Sequence, residues 1–183
     1  HTVALIAVKS PKDALRLLSE TKDYFGETIS AFELINKMGI DFFNETKVEV
    51  KVPFSNIPEW MVLLDIGHPG RNSVEKNTND YFENILSSGL AVDGVLAENV
   101  AQQNDLWAIR ENIPEANRRI GSISSHDISL PLSTVSTFID EARVEISKLG
   151  NFRINCFGHL GDGNLHFNIF PNKGEKREEY NHI

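Results

Sequence analysis

Near its C-terminal end the chain carries two runs that read as strands. Asn164, His166 and Asn168 alternate with Leu165, Phe167 and Ile169, and an earlier run over 152–159 alternates in the same way. Alternation at a period of two sends successive side chains to opposite faces of a strand. The link, Leu160-Gly161-Asp162-Gly163, has glycines suited to the positive φ of a tight reversal and an aspartate able to bond nearby backbone N–H groups. The segment therefore reads as an antiparallel hairpin, and a fold containing it must be built on a sheet.

The same alternation sorts the side chains. Arg153, Asn155, Phe157 and His159 share one face of the first strand, with Phe152, Ile154 and Cys156 opposite, while His166 and Asn168 share a face of the second. His159 and His166 come close together at the loop end, at a spacing that suits a shared metal ion. Two donors are an incomplete set, since a catalytic metal commonly takes three protein ligands and keeps one open position. The plainer reading, an ordinary turn flanked by surface histidines, stays open on spacing alone. A polar face on two adjacent strands nevertheless needs solvent or a ligand against it.

Upstream, strand-like and helix-like runs alternate. Residues 2–8 read as a strand, and Ser10-Pro11, a cap followed by a first-turn proline, opens a helix over 11–25. A strand at 28–34, a short helix at 35–44 and an edge strand or loop at 46–52 follow. Next come a buried strand at 60–66, turn chemistry at 67–70 and a helix at 73–88. A short strand at 93–97, a helix at 100–119 interrupted by Pro114, a strand at 123–130 and a helix at 133–149 lead into the hairpin. Two units of the split strand-helix-strand type produce this order. The expected class is α+β, an antiparallel sheet with helices packed on one face, in a ferredoxin-like (duplicated split β-α-β) architecture. A doubly wound dinucleotide fold is disfavoured, because no strand leads into a Gly-x-Gly-x-x-Gly turn.

Composition narrows the function classes. A net charge of -8 over 183 residues repels a phosphate backbone, so no nucleic-acid partner is expected. Cys156 is the single cysteine and cannot form an internal disulfide, which points to an intracellular, cytoplasmic location. No apolar run approaches the roughly 20 residues of a membrane span. His1 runs at once into a strand and 181–183 stop within a helix-like segment, so residues 1–183 are expected to be one domain of a longer protein.

Gly158-His159-x-Gly161-Asp162-Gly163-Asn164-x-His166, with Asp127-Ile128-Ser129-Leu130-Pro131, Leu106-Trp107-Ala108-Ile109-Arg110-Glu111 and Ser30-Ala31-Phe32-Glu33-Leu34, resembles the C-terminal domain of FAD-linked oxidases. Within that family the resemblance is nearest to D-2-hydroxyglutarate and D-lactate dehydrogenases. It implies a flavoprotein oxidoreductase acting on a small-molecule 2-hydroxy acid, with FAD held mainly by an N-terminal domain outside this chain and an electron acceptor yet to be identified. A homodimer is compatible with it. His159 and His166 would bind a divalent metal, usually zinc, together with a glutamate from a Glu-His-Gly segment beyond Ile183, whose histidine is the candidate general base. Arg110 would hold the substrate carboxylate and Asn168 would touch the substrate.

Two positions depart from the 2-hydroxyglutarate branch. Where that branch has a threonine and a lysine serving a carboxylate, this chain has Pro114 and Ser125, which bring no charge. A monocarboxylate such as D-lactate is then as well accommodated as a dicarboxylate. Asp162 reads as a turn former, Asp127 and Ser129 as structural polar groups, and Trp107 as packing on the sheet. His68 and His126 have no identified partner. The competing readings are a stand-alone metal-dependent hydrolase, which needs a complete metal site within the chain, and a non-catalytic α+β binding module.

Overall fold

A computed structural model describes residues 1–67 and 74–180, the side chains of 74–77 excepted. Its strands are β1 (Thr2–Val8), β2 (Ile29–Asn36), β3 (Trp60–Ile66), β4 (Asp93–Leu96), β5 (Ser124–Ser129), β6 (Arg153–His159) and β7 (Asn164–Phe170). The α-helices are α1 (Pro11–Phe25), α2 (Lys37–Thr46), α3 (Val74–Ser87), α4 (Val100–Ile120) and α5 (Leu132–Leu149). His68 and most of the turn expected at 67–70 lie outside the described residues, as do 181–183.

Local chemistry accounts for the helix starts. Ser10 accepts a hydrogen bond from the Asp13 N–H at 3.1 Å with Pro11 behind it, Asn36 caps α2 through the Met38 N–H, and Asn99 caps α4 through the Gln102 N–H. Helix α4 runs through Pro114 instead of breaking there. The proline withholds only the N–H that the Arg110 carbonyl would accept, and the apolar stripe of Leu106, Ile109, Ile113 and Ala116 holds both halves on the core. Residues 47–57 carry no strand: Val48, Val50 and Val52 pack on the core without a ladder partner.

The seven strands form one antiparallel sheet in the order β4-β1-β3-β2-β6-β7-β5. Strand β3 lies between β1 and β2, and β7 lies between β5 and β6, so the split β-α-β unit occurs twice as expected. The two units join along β2 and β6, where only Glu33 with His159 and Leu34 with Gly158 are paired. Helices α1, α3 and α5 pack on one face over Ala4, Ile6, Val62, Leu64, Cys156 and Phe167. The expectation of helices on one face holds for these three, but α2 and α4 cover the other face over Leu5, Ile35, Leu63 and Phe157. They lie outside the duplicated motif, and strands apolar on both sides require such a second layer. Burial on the first face pushes the Cys156 thiol up to about 12, which keeps it inert. Among the described residues no helix is long and apolar enough to cross a membrane.

Candidate functional site

The hairpin between β6 and β7 closes through a 3₁₀ turn over Leu160–Asp162, in which Asp162 accepts the Asn164 N–H at 3.2 Å. Gly163 has φ 75° and its carbonyl accepts the Leu130 N–H at 3.0 Å; a Cβ there would stand 2.1 Å from the Leu130 oxygen. Gly158, at φ 143°, leaves 2.8 Å between such a Cβ and the Asn164 oxygen. Both positions exclude a side chain by backbone approach. Gly163→Ala is expected to destabilise the domain by about 3 kcal/mol or more and to lower its melting temperature by roughly 10 °C in a thermal scan.

Arg110, Glu33, Phe157, His159, His166 and Asn168 all face the side of the sheet that α4 covers. Glu33 of β2, with its side chain 2% exposed, accepts from Arg110 Nε at 2.7 Å and pairs through its other oxygen with His159 Nδ1. The Arg110 guanidinium lies 4.8 Å from the centre of the Phe157 ring, and the His166 ring lies against the same phenyl at 4.8 Å between centres. His166 Nδ1 pairs with Asp127 Oδ1 of the neighbouring β5. The two histidines are thus turned towards carboxylates on opposite sides of the hairpin, and in each ring Nε2 is the nitrogen left to meet a ligand.

Asn168 accepts the His126 backbone N–H at 3.2 Å, so its NH₂ group is the part available to a bound molecule. With His166 it lines a cavity of about 410 Å³ that also meets Pro114, Ser125, Arg118 and Arg177. The two departures noted in the sequence therefore sit on the site itself. Arg118 is committed to Glu115 through bonds of 2.8 and 2.9 Å. With Arg119 it holds the Glu115 carboxyl down to about 2. Ser125 bonds Ser122 at 2.7 Å. On the other side of His159 a cleft of about 720 Å³ runs past Glu33, Trp107 and Gly161.

The four site residues expected from the sequence, Arg110, His159, His166 and Asn168, lie on this one face, but no metal centre is shown. Among the described residues no group of three His, Cys, Asp or Glu stands where it could hold a metal ion. Asp127, expected to be a structural polar group, pairs with His166 Nδ1. His126 has a partner in the Ser124 hydroxyl, at 2.7 Å, and Trp107 packs on the sheet while donating to Asp65 at 3.0 Å. Glu33 received no role from the sequence, although a carboxylate within Ala31-Phe32-Glu33-Leu34-Ile35, an otherwise apolar strand, signals a buried charge that must have a partner.

A buried guanidinium and two carboxylate-paired imidazoles thus share one face of the sheet. Residues 1–183 match the family described as FAD linked oxidases, C-terminal domain, and the chain belongs to that family. It is 32% identical over 167 residues to a mitochondrial D-2-hydroxyglutarate dehydrogenase of Arabidopsis thaliana, covering 91% of this chain and 30% of the plant protein. Against the Rattus norvegicus enzyme of the same name the identity is 30%, over 91% of this chain and 31% of the relative. A Schizosaccharomyces pombe protein provisionally named a mitochondrial D-lactate dehydrogenase is 30% identical over 97% of this chain and 35% of its own length. The chain spans about a third of the length of these curated relatives.

Proposed function

We propose that this domain holds the substrate in an FAD-dependent dehydrogenase that oxidises a D-2-hydroxy acid, of the D-lactate or D-2-hydroxyglutarate type, to the 2-oxo acid. The observation that carries this reading is that Arg110, His159, His166 and Asn168 lie on one face of the sheet, where His166 and Asn168 line a cavity large enough for such an acid and His159 lines the neighbouring cleft. Family membership and the names of the relatives support it.

The residues fit a metal in part. Two imidazoles whose Nδ1 atoms rest on carboxylates have the outer-shell arrangement usual for metal-ligating histidines, and a third donor would come from outside the described residues. Among the described residues no strand enters a glycine-rich dinucleotide turn of the kind that cradles cofactor phosphates. When bound, the flavin supplies the acceptor for the Cα hydride and a divalent ion such as zinc supplies a Lewis acid for the hydroxyl and carboxylate oxygens.

The chain's own residues bind and orient the acid. Arg110 is anchored through Nε, with its guanidinium 4.8 Å over the centre of the Phe157 ring, and its two Nη groups form the planar fork that would take a carboxylate. Asn168 can donate to an oxygen of the same molecule. Carboxylates on Nδ1 keep both imidazoles oriented, so no reorganisation is needed as charge develops on the hydroxyl oxygen. The hydrolase alternative requires a complete metal site within the chain, and the described residues offer no three-donor group for one. The cytoplasmic location and the homodimer stay as proposals; the plant and rat relatives carry the word mitochondrial in their names.

The test is to isolate the flavin-loaded protein that contains this domain and follow reduction of a dye acceptor with D-lactate, D-2-hydroxyglutarate and their L enantiomers. D-specific reduction is expected. Inertness towards every D-2-hydroxy acid would overturn the reading.

A further inference from the structure

Glu33 stands at the seam between the two halves of the fold. The ladder joining β2 to β6 is only two residue pairs long, and one of them sets Glu33 opposite His159. Its carboxylate is 2% exposed and sits in a strand whose neighbours are apolar, an environment that penalises an ion unless partners compensate it. Both of its oxygens are engaged: one accepts from Arg110 Nε at 2.7 Å, the other faces His159 Nδ1. One buried carboxylate thus ties together two groups that arrive on different elements, α4 and β6.

We infer that Glu33 is the positioning residue that fixes the distance and orientation of the Arg110 fork relative to the His159 imidazole. The inference rests on the reading in which Arg110 holds the acid's carboxylate and His159 serves a metal. Through His159 the carboxylate favours the tautomer with hydrogen on Nδ1, so that the lone pair is on Nε2. Through Arg110 it occupies Nε, the donor that a bidentate ligand on the two Nη groups does not use, and the Phe157 ring centre lies 4.8 Å from the guanidinium. A carboxylate whose only task was to neutralise Arg110 would have no need of the histidine. One whose only task was to orient the histidine would not need a buried cation.

The variant Glu33→Gln in the flavin-loaded protein tests this, since it keeps the size of the side chain and removes its charge. Zinc affinity, measured by competition with a chelator, is expected to weaken about 10–100-fold. KM for the D-2-hydroxy acid is expected to rise in the same variant while the thermal melt still shows a folded protein. A purely structural residue would lower the melting temperature and leave zinc affinity and KM of the folded protein unchanged, and that result would overturn the inference. Should Glu33→Gln fail to fold, the double variant Glu33→Gln/Arg110→Gln removes both buried charges together. It is expected to fold and still to show the weakened zinc binding, because His159 has lost its carboxylate; wild-type zinc affinity in it overturns the proposal. The wild-type protein separates the two failures: if it neither binds zinc nor turns over the acid, the underlying reading falls and the inference with it.

Discussion

His166→Ala in the flavin-loaded protein is expected to lower turnover of D-2-hydroxy acids by about 10³-fold or more while leaving the domain folded. On the proposed function the loss follows from removing one of the two imidazoles that would hold the metal, since a Lewis acid contributes several kcal/mol of transition-state stabilisation and about 4 kcal/mol corresponds to 10³-fold. The fold survives because the carboxylate left behind is Asp127, whose side chain is 75% exposed and remains hydrated without its partner. His159→Ala should be equally damaging to turnover, and it leaves Glu33 still paired with Arg110. Steady-state kinetics beside metal analysis check both. Near-normal turnover in either variant would remove that histidine from the chemistry.

Arg110→Met is expected to do harm of two kinds at once. It deletes the fork, with a loss in kcat/KM of about 10²-fold, the worth of a charge-assisted bond to a desolvated carboxylate. It also leaves the buried Glu33 without its cation, which typically destabilises by about 3–5 kcal/mol. Arg110→Lys separates the two: the charge is retained and most of the stability with it, but a point-like ammonium cannot offer Glu33 and the substrate two parallel edges. Lysine at this position should therefore melt near the wild type and still lose most of kcat/KM. If Arg110→Met melted like the wild type, the ion pair would have no structural weight.

Much of this was legible in the residues. The hairpin, the cap at Ser10 and the apolar periodicities place the seven strands and five helices of the described residues within a few residues of where they stand. Such signals are local, carried by side chains only a few positions apart. The segment over 46–52 shows the limit. Alternating valines are equally consistent with a strand and with a loop laid against a core, and only the absence of a neighbouring ladder decides between them. Pro114 shows another: an intrahelical proline costs one hydrogen bond, and packing of the flanking turns outweighs it.

The site divides along the same line. Alternation along two strands and the glycine-framed turn by themselves put His159, His166 and Asn168 on one face, and the resemblance drew Arg110 to them. What covers that face, and which carboxylate holds which histidine, was decided only when strands distant in sequence became neighbours. Glu33 lies 126 positions from His159 and 77 from Arg110, and Asp127 lies 39 from His166. Pairing over such separations is set by the sheet order and register, which no local pattern encodes.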